Sequence, residues 1–75
     1  MSTNLKRYEV FARGRRGEPF YHIGVVEAFS DNLAQILARH IYDEENWFDF
    51  AVVRAENIRW VTRNGRDDVP AVEGA

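Results

Sequence analysis

Tyr8-Glu9-Val10-Phe11-Ala12-Arg13 alternates with the period of a β-strand and then enters Gly14-Arg15-Arg16-Gly17. The alternation sets Tyr8, Val10 and Ala12 on one strand face and Arg7, Glu9, Phe11 and Arg13 on the other. Gly14 and Gly17 permit backbone angles that other residues resist, so a tight strand reversal is expected there. A second apolar run, Phe20 to Phe29, follows Pro19, which sits where a missing N–H donor costs least. In it Tyr21, Ile23 and Val25 alternate against Phe20, His22, Gly24 and Val26. Both faces carry apolar residues, so this strand is expected to be covered on both sides. The two runs predict an antiparallel hairpin.

Ser30-Asp31-Asn32 supplies helix N-cap side chains. The spacing predicts a helix from about Asn32 to Asp43. Leu33, Ile36, Leu37, His40 and Ile41 form its apolar stripe, with Ala34 and Ala38 beside it. Asp43-Glu44-Glu45 ends the helix awkwardly, because acids at a helix C-terminus oppose the macrodipole. A third strand is expected from Trp47 to Ala55, with a buried centre at Phe50-Ala51-Val52-Val53, and a short fourth from Ile58 to Thr62. Asn64-Gly65 signals a turn. The order β-β-α-β-β predicts an α+β fold: a small antiparallel sheet with one helix packed on a face. Ala34 and Ala38 are small enough to let that helix approach closely. Residues 1–66 read as one domain and 67–75 as a loose C-terminal tail.

One core in 75 residues is near the lower limit for independent folding, and there is no cysteine to staple it. Association is the remaining remedy, so a homo-oligomer is expected. Neither a signal-peptide pattern nor a membrane-length apolar run is present, which predicts a cytoplasmic chain with no membrane partner. The net charge of −2 gives no general attraction to nucleic acid. Its distribution is uneven: Lys6, Arg7, Arg13, Arg15 and Arg16 make the first hairpin basic, and Asp43-Glu44-Glu45 is acidic. Solvated strand ends and helix flanks account for this; complementary docking patches are the sharper reading.

The sequence offers no recognisable catalytic set. His22 and His40 lack both Glu-x-x-His and His-x-x-x-His spacing. Gly14-Arg15-Arg16-Gly17 is too short for a phosphate-cradling loop and is not followed by Lys-Ser or Lys-Thr. The only serines are Ser2, at the terminus, and Ser30, a cap, which argues against a Ser-His-Asp triad. No catalytic residue, cofactor or metal is expected. His22 reads first as a hydrogen-bonded strand histidine, and His40 as a residue at the helix–sheet border. Trp47 and Trp60 suit either a core or an interface.

Several short strings together resemble one family. Tyr8-Glu9-Val10-Phe11, Arg13-Gly14, Gly17 and His22-x-Gly24 look like the first hairpin of the PaaB-like phenylacetic acid degradation family, the small subunits of phenylacetyl-CoA epoxidases. Ala34, Ala38, Arg39 and Tyr42 match its Ala-x-x-x-Ala-Arg-x-x-Tyr helix, and Val52-Val53-Arg54-Ala55 with Ile58 resembles its following strand. The match runs in consistent order from Tyr8 to Ile58. It departs where Asp43-Glu44-Glu45 replace residues that are often basic, and where Ala51 replaces a usual tryptophan. The resemblance implies a non-catalytic accessory subunit of a bacterial multicomponent di-iron monooxygenase that forms a ring 1,2-epoxide on phenylacetyl-CoA, in aerobic aromatic degradation. The implied partners are its di-iron catalytic subunit and the related structural subunit, which this chain would bridge or organise. Arg13, Arg15, Arg16, His22, Arg39 and Tyr42 carry over as structural or partner-interface positions.

Two other classes compete. In a nucleic-acid-binding module, Arg13, Arg15 and Arg16 would contact phosphates while Phe20 or Tyr21 stacks on bases. In a small dimeric α+β enzyme, His22 or His40 would act as base in a pocket between sheet and helix.

Overall fold

The structure, a computed structural model, describes residues 4–67. Strands β1 (Lys6–Arg13), β2 (Tyr21–Ala28) and β3 (Asp49–Arg54) form one antiparallel sheet in the order β2-β1-β3, and helix α1 (Asp31–Ile41) lies across a face of it. The expected α+β architecture and element order are therefore present. The expected fourth strand does not join this sheet. Ala55–Asn57 makes a 3-10 turn, and Thr62–Arg63 (β4) pairs with Arg66–Asp67 (β5) in a separate ribbon. Asn64 and Gly65 both have positive φ, 55° and 77°, the geometry that a two-residue strand reversal asks for. The expected tail thus yields Arg66–Asp67 to β5, and its remainder, 68–75, lies outside the described residues.

β1 is the central strand, and its alternation is realised: Tyr8, Val10 and Ala12 are buried. Their partners on β3 are Arg54, Val52 and Phe50, which share the helix-facing side because paired residues point the same way. The second hairpin strand breaks the simple period. Val10 pairs with Gly24 and Phe11 with His22, so Ile23 is left as a β-bulge. Beyond the bulge, Gly24, Val26 and Ala28 face the helix and Val25 and Glu27 face away. The expected Tyr21-Ile23-Val25 face is thereby corrected. Cover on both sides of β2 is corrected too: β2 is an edge strand, Tyr21 and His22 are exposed, and the face opposite the helix has no described layer over it. The third strand starts at Asp49 rather than Trp47, opposite Arg13. Its supposed buried centre is only partly so, since Phe50 and Val52 are half-buried against the core and Ala51 is exposed.

Gly17 has φ 91°, the left-handed region that a side chain resists, but Gly14 does not. The connection is also longer than a tight reversal. Residues 13–20 link Ala12 to its partner Tyr21, with Glu18 N–H donating to the Arg15 carbonyl at 3.2 Å and Gly14 N–H to Glu18 Oε1 at 3.1 Å.

Helix α1 begins as its sequence indicates, Ser30 Oγ accepting from Leu33 N–H at 3.2 Å. It ends at Ile41, two residues short of expectation, with Tyr42 N–H donating to the Ala38 carbonyl. Only Ala34 and Ala38 on the helix are buried. They complete a core with Tyr8, Val10, Val26 and Ala28, against which Ile23, Tyr42, Phe50 and Val52 pack.

Candidate functional site: an uncovered helix flank and an arginine-rich turn

Small residues hold α1 against the sheet, and this decides what its large residues do. Ala34 and Ala38 stack one turn apart at the contact. Leu33, Ile36 and Leu37 lie about 80 to 180° round the axis from them, at 100° per residue. They remain 44%, 63% and 37% exposed, and Ile41 is 50% exposed. The strongest apolar pattern in the helix therefore covers no core of its own. Tyr42 closes the contact from the helix end. Its ring lies against Gly24, where an added Cβ would fall inside van der Waals contact of Oη and only 2.7 Å from Cζ. The Tyr42 carbonyl accepts from Trp47 Nε1 at 2.9 Å, which ties the following loop to the cap.

At the opposite end of α1 a buried phenol meets the first turn. Tyr8 donates to Asp31 Oδ1 at 2.6 Å, and Arg54 Nε donates to the same oxygen at 3.0 Å. Tyr8 burial, then its bond to the carboxylate, raise its pKa, whereas the Tyr8 and Arg54 hydrogen bonds lower that of Asp31. Asp31 also sits favourably in the first turn of the helix dipole.

The arginine turn forms a second feature. Arg13 is half-buried, paired through Nε with Asp49 and donating from Nη1 to the Glu18 carbonyl at 3.2 Å. Its guanidinium lies 5.3 Å from the centre of the Phe20 ring and 5.5 Å from that of Phe48. Arg16 lies 5.8 Å from the Phe48 centre, and Arg15 is exposed with only a 3.7 Å contact to Glu18. Phe20 and Phe48 are each 49% exposed, so the turn is an aromatic shelf fringed by cations.

The six site positions expected from sequence do not form one surface. Arg13, Arg15 and Arg16 come together at the turn, with Arg13 in a structural role. Tyr42 packs in the helix–sheet contact. His22 lies on the sheet face opposite α1, where Nε2 is 2.7 Å from Glu9 Oε1 and the ring is 5.2 Å from Phe11. Glu9 also accepts from Arg7 Nε at 2.8 Å, and these bonds, Arg7 first, lower its pKa. Arg39 is exposed and lines an open groove of about 650 Å³ between α1 and β3, together with Gln35, His40, Asp43, Phe50 and Val52. His40 thus borders the helix–sheet junction as expected. Among the described residues no group of three or more His, Cys, Asp or Glu side chains is arranged to hold a metal ion. No described helix is long and apolar enough to cross a membrane.

The aliphatic flank of α1 is the feature that the site expectations missed. Its signal was in the sequence: Ala34 and Ala38, four apart on one side of the helix, are small enough to let it lie close on the sheet. That close contact turns the larger residues outward. No family model matches the chain, and no curated protein or solved structure matches it either.

Proposed function

We propose that this chain is a non-catalytic accessory subunit of a bacterial multicomponent di-iron monooxygenase, of the phenylacetyl-CoA ring-epoxidising kind, working in the cytoplasm. The observation that carries the reading is the uncovered flank Leu33, Ile36, Leu37 and Ile41. An aliphatic helix face of this kind fits the groove of a helical partner. The residues behind the family resemblance support it in a different way. Gly24, Ala34, Ala38 and Tyr42, four of the residues that carry it, meet in a single helix–sheet contact. Partners in this reading are the catalytic and structural subunits, which the chain organises without supplying an acid, base or metal ligand.

Tagged capture from the source cells followed by mass spectrometry tests the proposal. Recovery of a helical di-iron oxygenase subunit, lost on L33E/I36E, is the expected result. Recovery of RNA-associated proteins, or of the chain alone, would overturn it.

One observation favours a second reading. The α1–β3 groove holds His40 beside Asp43 and Gln35, a concave setting in which a histidine base of a small enzyme could work. Against this, His40 makes no hydrogen bond to a described residue. Unchanged partner capture by H40A separates the readings in favour of the accessory role.

A further inference from the structure

The arginine turn and the acidic segment after α1 lie at the same end of the molecule. Phe48 N–H donates to the Arg13 carbonyl at 2.9 Å, Arg13 pairs with Asp49, and Arg16 lies over the Phe48 ring. The loop that carries 43–45 therefore runs from the helix cap to Phe48, which lies at the turn. Yet the two charge sets do not neutralise each other. Asp43, Glu44 and Glu45 are exposed and make no ion pair with a described residue; nor does Arg16, and Arg15 has only its long contact to Glu18. Three acids just beyond a helix C-terminus oppose the macrodipole, which Arg39 and His40 in the last turn offset only in part. The exposed rings of Phe20 and Phe48 lie on the same end and are better removed from water.

We propose that two copies of this chain associate end to end about a two-fold axis, the Arg15-Arg16 turn of each meeting the 43–45 segment of the other. A second copy is the occupant that fits, because this end carries both signs. An acidic partner would be repelled by 43–45, a basic one by the turn, and nucleic acid by 43–45 and by the net charge of −2. A two-fold axis lets one self-complementary patch satisfy both sets at once, with the phenylalanines between them. This inference is independent of the accessory-subunit reading, which uses the flank of α1.

Charge reversal with rescue tests it, read by sedimentation equilibrium at low salt with circular dichroism confirming that each variant is folded. Wild type is expected to be dimeric, and to dissociate at about 0.5 M salt, where exposed charges are screened. R15E/R16E and E44R/E45R are each expected to weaken the dimer by at least about tenfold, like charges now being opposed. An equimolar mixture of the two is expected to regain dimers, because each basic set then meets an acidic one. A monomeric wild type, variants that dimerise as wild type does, or a mixture that stays monomeric would overturn the proposal. Binding of poly(U) RNA by a monomeric wild type, abolished in R15E/R16E, would overturn it in favour of a nucleic-acid surface.

Discussion

The two sides of α1 are built from different residues for different ends. The side on the sheet presents Ala34 and Ala38, which bury little area each but bring the helix close enough for Tyr42 to reach Gly24. The outer flank presents Leu33, Ile36, Leu37 and Ile41, which bury far less of themselves than their size allows. Hydropathy alone would assign the larger residues to the core. Volume decides otherwise, because a close-packed interface selects what fits rather than what is most apolar. The contrast separates the residues that hold the fold from those available to a partner.

The sharpest way to break the inner side is Gly24→Ala. The new methyl would collide with the ring of Tyr42, whose backbone is held by Ala38 and by Trp47. A loss of about 3 kcal/mol is expected in urea unfolding, as for overpacking of a rigid contact. In a Tyr42→Ala background the added cost of Gly24→Ala should shrink, which a double-mutant cycle will show. Ala38→Leu tests the same side with an aliphatic group, lifting the helix from the sheet at a cost of about 2 kcal/mol by the same measurement.

A smaller effect comes from the contact between Tyr8, Asp31 and Arg54. The folded pKa of Asp31 is depressed by its Tyr8 and Arg54 hydrogen bonds, so its stabilisation is present above the unfolded value of about 4 and is lost as pH falls through the folded value. Asp31→Asn should therefore lower the unfolding midpoint at pH 7 and flatten its fall on acidification to pH 2. An acid limb as steep as that of wild type would contradict the assignment. The smallest effect belongs to the outer flank. Ile36→Ser should change stability by no more than about 0.5 kcal/mol, because the side chain is largely in water already.

Much of the fold was legible in local pattern. The alternation of Tyr8, Val10 and Ala12, the Ser30 cap and the Asn64-Gly65 reversal are each decided by neighbours in sequence, and each is present. The bulge at Ile23 was not, because register is set by pairing with β1 and by the need to bring Gly24 under Tyr42. For the same reason Tyr21 and Val25, expected on one face of β2, lie on opposite faces, while Val25 stands opposite Gly24 and Val26 as expected. Trp47 looked like a strand residue but serves the loop, bonding the Tyr42 carbonyl that no residue within the helix could reach. Of the candidate site, the clustering of Arg13, Arg15 and Arg16 follows from their spacing in one turn. Their separation from His22, Arg39 and Tyr42 depends on which sheet face and which helix side each occupies, and only tertiary packing fixes that.

The central claim is that the aliphatic flank of α1 serves a partner and not the fold. Its most direct test is L33E/I36E, measured for urea stability and for capture of the proposed di-iron oxygenase subunits. Stability within about 1 kcal/mol of wild type is predicted, as for two exposed positions, together with loss of capture. Collapse of the fold, or capture undiminished in a stably folded variant, would contradict it.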